Sequence, residues 1–150
     1  MQNYTFPMKE KLLNILIIED NFEHLKLTRT ILERNQVPGK IYFVRDGEEA
    51  LDYVFRRSVF TDDNKYPMPD LILLDLKLPK LDGRAVLRAL KQDPTLRAIP
   101  VVIVSTSERR EDIEYALSTG AVAYISKSIG FDQLNSALSS VYKYADRKPE

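Results

Sequence analysis

The fold is most strongly constrained by a regular alternation of short apolar runs with longer amphipathic stretches. The apolar runs consist mostly of Val, Ile and Leu on both faces, which is typical of strands covered on both sides in a parallel sheet. The amphipathic stretches space their apolar residues at helical intervals. This pattern predicts an α/β fold in which a doubly wound, five-stranded parallel sheet carries helices on both faces. The five predicted strands are Leu13–Ile18, Ile41–Val44, Leu71–Leu74, Val101–Val104 and Val122–Ser126.

A helix is predicted after each strand. The segment Ser58–Pro69 is the one long irregular stretch, and its acidic residues and two prolines predict a solvated loop. No second domain is indicated, so residues 1–150 are expected to form a single domain with a core of about residues 12–144 and flexible ends. The predicted helices cover about Phe22–Asn35, a stretch that starts near Gly47, about Arg84–Gln92, about Glu108–Thr119 and about Phe131–Tyr144.

Charge and composition argue against several classes of function. The 22 basic and 22 acidic residues give a formal net charge of zero, which argues against nucleic acid or an anionic membrane as the main partner. The absence of cysteine excludes disulfides and thiolate nucleophiles and favours a reducing compartment. The apolar runs are far shorter than the roughly 20 residues of a membrane-spanning helix. A soluble, cytoplasmic protein is therefore expected.

Polar and charged residues follow four of the five predicted strands. Glu19 and Asp20 come after the first strand, Asp75 after the third, Ser105 after the fourth and Lys127 after the fifth. The carboxyl ends of parallel strands meet at one edge of a sheet, where α/β proteins bind their ligands. We therefore expect these five side chains to lie together.

The chemistry of this set points to phosphoryl transfer. Two carboxylates about 4 Å apart repel by roughly 1 kcal/mol in water and about 4 kcal/mol at an effective dielectric constant near 20, so Glu19, Asp20 and Asp75 need a cation. Oxygen ligands suit a hard divalent ion, most simply Mg²⁺. Lys127 and Ser105 can bind phosphate oxygens, which leaves the Asp75 carboxylate as the attacking group.

Four sequence motifs, in this order along the chain, match a known family. From Leu13 to Tyr142 the chain resembles the receiver domain of two-component response regulators. Each motif alone is weak evidence, whereas the four in order and at the family's spacing are specific. The resemblance implies the flavodoxin-like receiver fold with strand order 2-1-3-4-5. The matching motifs are Ile17-Ile18-Glu19-Asp20-Asn21, Leu73-Leu74-Asp75-Leu76-Lys77-Leu78-Pro79 with Asp82-Gly83, Ile99-Pro100-Val101-Val102-Ile103-Val104-Ser105 and Tyr124-Ile125-Ser126-Lys127.

The resemblance also implies a role for each site residue. Asp75 would accept a phosphoryl group from a histidine of a sensor histidine kinase. Ser105 and Lys127 would contact that phosphoryl group, and Tyr124 would be the aromatic ring that changes rotamer when the hydroxyl of Ser105 moves. Signalling would then follow from a conformational switch on the face of the fourth helix, fifth strand and fifth helix. The implied ligands of Mg²⁺ are Glu19, Asp20, Asp75 and the backbone carbonyl of Lys77.

Three features make the chain similar to the small stand-alone receivers that partner phytochromes and related histidine kinases. They are the long loop before Pro69, the local sequence Ser105-Thr106-Ser107 and the short chain. A phytochrome-type kinase is therefore an expected partner, and a homodimer through the side of the fifth helix is a further expectation. The downstream protein is not indicated by the sequence.

Two positions near the site depart from the family or carry an unusual residue. The family's lysine is usually followed by a proline in a cis peptide, but here Ser128 follows Lys127, and a trans bond is expected because a cis bond before a non-proline residue costs about 2.5–4 kcal/mol. Lys77 is a large cation two residues after Asp75, where it is hypothesised to shield an acyl phosphate.

His24, the only histidine, is expected to face solvent or to pack on the first helix.

Three other functions compete with signalling, and the residues argue against each of them. A Mg²⁺-dependent phosphohydrolase commonly uses a second Asp as general acid two residues after its aspartyl nucleophile, where this chain has Lys77. A flavin or nucleotide module would need a glycine-rich phosphate-binding loop after the first strand, where this chain has Glu19-Asp20-Asn21-Phe22. A phosphorylation-independent scaffold would normally have a degraded acidic site. The residues favour a signalling domain that is not an enzyme beyond its own phosphotransfer and dephosphorylation.

Overall fold

The computed structural model describes residues 12–145 and has the predicted doubly wound architecture. All strand pairs are parallel, and the strand order is β2-β1-β3-β4-β5, as the resemblance implies. The expected flexible ends lie outside the described residues. The strands are β1 (Leu13–Ile18), β2 (Gly39–Val44), β3 (Leu71–Leu74), β4 (Val101–Ser105) and β5 (Ala123–Ser126).

Helices connect the strands, and side chains cap the first three of them. Asn21, Asp46 and Asp82 each accept a hydrogen bond from a backbone N–H of the following first turn, which is the usual role of such residues before a helix. The longest helix has 13 residues, and no helix within residues 12–145 has the length and hydropathy of a bilayer span. The helices are α1 (Phe22–Arg34), α2 (Gly47–Val54), α3 (Gly83–Gln92), α4 (Arg110–Thr119), α5 (Phe131–Ser139) and α6 (Tyr142–Ala145).

A hydrophobic core lies on each side of the sheet because successive strand residues point to opposite faces. Leu16 and Ile18 belong to the core that also contains residues of α2, α3 and α4, whereas Ile15 and Ile17 belong to the core with residues of α1 and α5. The inner strands β3 and β4 are buried along their whole length. This two-sided burial explains why the strands read as continuous apolar runs.

The predicted fifth helix, Phe131–Tyr144, is wrong as a single element. Helix α5 ends at Ser139, and the short helix α6 begins at Tyr142. The hydroxyls of Ser139 and Ser140 donate to the carbonyls of Ser136 and Ala137, three residues earlier in each case. Such bonds compete with the helical backbone pattern and explain why the helix is interrupted here.

The segment Ser58–Pro69 is more ordered than the predicted solvated loop. Its acidic residues are exposed, but Phe60 is only 8% exposed. The Phe60 ring packs against Tyr53 and Tyr66, with centroid distances of 5.1 and 4.9 Å. The guanidinium of Arg56 donates to the carbonyl of Tyr66 and pairs with Asp63. The loop is therefore anchored by an aromatic cluster that lies over the end of α2.

Candidate functional site

Backbone hydrogen bonds extend the sheet by one residue at three strand ends and thereby fix the site residues. The N–H of Glu19 donates to Val44 on β2, and the N–H of Asp75 donates to Ile18 on β1. At the far end of the strand order, the N–H of Lys127, which follows β5, donates to the carbonyl of Ser105 on β4. The side chains that follow β1, β3 and β5 therefore leave from rigid backbone at the same edge, as the sequence predicts.

The three predicted acidic residues converge. One carboxylate oxygen from each of Glu19, Asp20 and Asp75 lies within 4.8 Å of the others. Glu19 and Asp75 are buried, at 4% and 6% exposure, whereas Asp20 is more open to solvent. Burial raises the pKa of Glu19 to about 7; the hydrogen bond from Lys127 opposes this rise, and the charge of Asp75 adds to it. Hard oxygen donors in this arrangement fit a divalent cation, which would relieve the repulsion among them.

Lys127 lies inside the same site, and its side chain is only 4% exposed. Its Nζ atom donates to Glu19 Oε1 over 2.6 Å and to Asp75 Oδ2 over 3.4 Å. Carboxylates and an ammonium thus share one buried pocket, which can hold both a cation and the negative oxygens of a phosphoryl group.

The prediction that His24 faces solvent or packs on the first helix missed a contact with the site. Nδ1 of His24 lies 2.9 Å from Nζ of Lys127 and 3.9 Å from Oε2 of Glu19. The sequence places His24 in the first turn of a helix that directly follows Glu19-Asp20, but it gives no sign of the partner Lys127, which is 103 positions away. Burial and the charge of Lys127 both lower the pKa of His24, so the neutral imidazole is favoured.

Ser105 and Tyr124 lie on neighbouring strands and meet at Ser107. Ser105 is fully buried at the end of β4, and its Oγ accepts a hydrogen bond from the N–H of Ser107 over 3.2 Å. The hydroxyl of Tyr124 donates to the carbonyl of Ser107 over 2.9 Å. Burial raises the pKa of Tyr124, so its hydroxyl remains a donor in this contact. The predicted hydroxyl and aromatic switch residues therefore share one loop residue.

The turn after β3 places Lys77 beside the carboxylate of Asp75. The backbone N–H of Lys77 donates to Asp75 Oδ1 over 3.2 Å, and its side chain is exposed. Gly83 lies so close to the carbonyl of Asp75 that a Cβ at this position would collide with that oxygen. The requirement for glycine explains the Asp82-Gly83 pair in the sequence.

The loop after Lys127 has the expected trans peptide before Ser128, since no cis bond occurs among residues 12–145. The N–H of Ser128 donates to Ser126 Oγ over 3.1 Å, and its hydroxyl donates to the carbonyl of Thr106 over 3.2 Å. Ser128 therefore connects the β5–α5 loop to the β4–α4 loop.

The chain is similar to proteins of a known family. Residues 15–139 match the family model described as the response regulator receiver domain. FilR2 of Methanothrix harundinacea, named as a probable methanogenesis regulatory protein, is 37% identical over 130 residues, which cover 87% of this chain and 81% of FilR2. Response regulator Rcp1 of Synechocystis sp. is 35% identical over 114 residues, which cover 76% of each protein.

Solved structures of similar proteins have the same fold. The crystal structure of the phosphorylated cyanobacterial phytochrome response regulator RcpA matches with a TM-score of 0.82 and 36% identity, over 93% of this chain and 100% of RcpA. The Mn²⁺-bound form of Rcp1 matches with a TM-score of 0.80 and 30% identity, over 92% of this chain and 99% of Rcp1. The chain therefore belongs to the response regulator receiver domain family.

Proposed function

We propose that the chain is a stand-alone response regulator in which Asp75 accepts a phosphoryl group from a sensor histidine kinase. The observation that carries the proposal is the convergence of the Glu19, Asp20 and Asp75 carboxylates beside the buried ammonium of Lys127, which pairs with Glu19 and Asp75. In the transfer, a carboxylate oxygen of Asp75 forms a bond to phosphorus. The bond from phosphorus to the histidine nitrogen breaks, and the nitrogen keeps the electron pair.

Mg²⁺ is the proposed cofactor. Its proposed protein ligands are Glu19, Asp20, Asp75 and the carbonyl of Lys77, a set of hard oxygen atoms that suits this ion. When bound, the ion supplies positive charge that neutralises the carboxylates and the transferring group. The Mn²⁺-bound structure of Rcp1 supports a divalent cation as cofactor.

The residues around Asp75 have separate proposed tasks in the transfer. Lys127 stabilises the negative charge that develops on the phosphoryl oxygens, because its buried ammonium already faces Asp75 Oδ2. The backbone N–H of Lys77 bonds the other carboxylate oxygen and so orients the nucleophile. Ser105 binds a phosphoryl oxygen after transfer, and Tyr124 changes rotamer in response.

The proposed output is conformational and not the turnover of a small substrate. Lys77 occupies the position that a phosphohydrolase would need for a general acid, and it exposes its ammonium to solvent. The face of α4, β5 and α5 has a groove of about 640 Å³ lined by apolar residues that include Ile113, Leu117 and Val122. We propose that a second copy of this chain binds there, which sedimentation of the protein with and without beryllofluoride would test.

A phytochrome-type histidine kinase is the proposed partner. The similarity to RcpA, which is a phytochrome response regulator, supports this partner. We also propose a cytoplasmic location, with which the cysteine-free sequence agrees. Phosphotransfer from a purified phytochrome kinase, compared with kinases of other input domains, would test the pairing.

Labelling with a small phosphodonor tests the site directly. The protein is incubated with acetyl phosphate and Mg²⁺, and intact mass is measured. We expect the mass of one phosphoryl group to be added to the wild type and to be absent from Asp75→Asn. Asp62→Asn, in the exposed part of the loop before β3, is the matched control and should be labelled like the wild type. Labelling that persists in Asp75→Asn, or steady hydrolysis of many phosphate esters, would contradict the proposal.

A further inference from the structure

The ammonium of Lys127 has three acceptors, one for each of its N–H donors. They are Glu19 Oε1 at 2.6 Å, His24 Nδ1 at 2.9 Å and Asp75 Oδ2 at 3.4 Å. A lysine ammonium has three donors and no acceptor, so the His24 Nδ1 atom must be unprotonated to take part. The proton of the neutral imidazole then lies on Nε2. The neutral imidazole with its proton on Nε2 is thus the form of His24 that this contact requires.

The three acceptors differ in what happens to them during phosphoryl transfer. In the proposed function, Asp75 becomes an acyl phosphate and Glu19 binds the cation. His24 keeps its lone pair for Lys127, because it neither receives the phosphoryl group nor is among the proposed cation ligands. The imidazole is therefore an acceptor that transfer leaves unchanged, and it can hold the ammonium in place both before and after that step.

We propose that His24 is a positioning residue for phosphoryl transfer, which holds the Lys127 ammonium against the phosphoryl site by accepting one of its hydrogen bonds at Nδ1. This inference rests on the proposed function, since it requires that Asp75 is phosphorylated and that Lys127 binds the phosphoryl group. Lysine has a long and flexible side chain, so an added acceptor on a rigid helix limits where its charge can lie.

The backbone around His24 suits this role. Asn21 caps α1, and its Oδ1 atom accepts from the N–H of His24 over 3.0 Å, which fixes the first turn of the helix. The N–H of Asn21 in turn donates to Glu19 Oε2 over 3.1 Å. These two bonds link the start of α1 to the Glu19 carboxylate and fix the backbone from which the His24 ring reaches Lys127.

Two substitutions separate the hydrogen bond from the bulk of the ring. In His24→Asn, the amide oxygen lies two bonds beyond Cβ, as Nδ1 does in histidine, so it can accept from Lys127. His24→Leu has similar volume and good helix propensity but no acceptor. Thr30→Leu, on the exposed part of α1, is the control for an added leucine on the same helix.

The rate of phosphorylation by acetyl phosphate and Mg²⁺ is measured for the four proteins, with melting temperature as the check on folding. We expect His24→Leu to react about tenfold more slowly, in line with the loss of a hydrogen bond to a charged group. His24→Asn should recover most of the rate, and Thr30→Leu should equal the wild type. Equal rates in wild type and His24→Leu, or equal losses in the Leu and Asn variants, would overturn the inference.

Nitrogen NMR gives a readout that does not depend on phosphorylation. The chain has one histidine, so the ring signals of untagged, ¹⁵N-histidine-labelled protein need no assignment. We expect the Nε2–H tautomer in the free protein and in the protein with beryllofluoride and Mg²⁺. An Nδ1–H tautomer would overturn the inference while leaving labelling of Asp75 intact. A wild type that acetyl phosphate does not label on Asp75 would overturn the proposed function and this inference together.

Discussion

The hydroxyl of Tyr124 donates a hydrogen bond of 2.9 Å to the carbonyl of Ser107, and this bond ties β5 to the β4–α4 loop. Ser107 has further contacts on either side. Its N–H donates to Ser105 Oγ, and its own hydroxyl donates to Asp112 on α4. Ser107 therefore links the buried hydroxyl at the end of β4 to both the aromatic ring and the following helix. A change at Ser105 can reach α4 through one residue.

Tyr124→Phe tests this link. The substitution removes one hydrogen bond from the carbonyl of Ser107, so we expect the free energy of unfolding to fall by about 1 kcal/mol. The backbone amides of residues 106–110 should exchange hydrogen faster, because the loop loses its tie to β5. Hydrogen exchange followed by mass spectrometry measures this change. The control is Tyr142→Phe, whose ring is 41% exposed, and unchanged exchange in Tyr124→Phe would contradict the link.

The raised pKa of Glu19 predicts how stability depends on pH without a divalent cation. This carboxyl has a pKa of about 7 in the folded protein and an ordinary value of 4.5 when exposed. Between these values the folded state binds the proton more tightly than the unfolded state. The contribution of Glu19 to the free energy of unfolding is therefore fully present below about pH 4.5 and is lost as the pH rises through about 7.

Glu19→Gln isolates that contribution, because the other groups titrate in both proteins. Urea unfolding is measured for wild type and variant between about pH 5 and pH 8 without Mg²⁺. We expect the stability of the wild type to fall relative to that of the variant as the pH rises. Parallel curves would show that Glu19 does not titrate in this range.

Cation binding predicts a separate gain in stability. A ligand that binds only the folded state stabilises it by about 2.7 kcal/mol at one hundred times its dissociation constant. We expect Mg²⁺ to raise the melting temperature of the wild type, and Asp20→Asn to respond only at much higher concentrations. Asp63→Asn, in the exposed part of the loop before β3, should respond like the wild type. An equal response in Asp20→Asn would exclude that carboxylate as a ligand.

The sheet and the convergence of the acidic residues could be predicted from the sequence because both depend on local patterns. Apolar runs such as Leu71–Leu74 identify buried strands, and parallel topology brings the residues that follow them to one edge. The strand ends were less well predicted. β2 begins at Gly39, two residues before the predicted start at Ile41. As an edge strand it is partly exposed, so its apolar pattern is weaker there.

Contacts between distant residues explain what the sequence did not show. Lys127 and His24 are 103 positions apart, and nothing in the pattern of α1 indicates that an imidazole in its first turn meets a lysine after β5. The sequence around Phe60 is polar and predicts a loop. The ring is buried because the chain folds back on α2 and brings Phe60 into contact with Tyr53 and Tyr66. The end of α5 depends on the hydrogen bonds that the hydroxyls of Ser139 and Ser140 donate to backbone carbonyls, and the apolar pattern does not reveal these bonds.

The aromatic cluster before β3 predicts a large cost for one loop substitution. Phe60 is 8% exposed and packs against two rings, so Phe60→Ala leaves a cavity and should destabilise the protein by about 3 kcal/mol. The neighbouring Val59 is 66% exposed, and Val59→Ala should change stability by less than about 0.5 kcal/mol. Urea unfolding of the two variants distinguishes an anchored segment from a solvated loop, because a solvated loop would give two small effects.

Lys77 is expected to govern how long the phosphoryl group survives on Asp75. The N–H of Lys77 donates to Asp75 Oδ1 over 3.2 Å, and the side chain of Lys77 is exposed. If Asp75 carries a phosphoryl group, as proposed, the Lys77 ammonium can shield the phosphoryl oxygens from attacking water. Lys77→Asn keeps the backbone bond and removes the cation, and we expect it to shorten the lifetime of the labelled protein. The lifetime is measured by intact mass after acetyl phosphate is removed. Lys65→Asn removes a charge from the distant exposed loop and should leave the lifetime unchanged. Equal lifetimes in Lys77→Asn and the wild type would show that the ammonium has no such role.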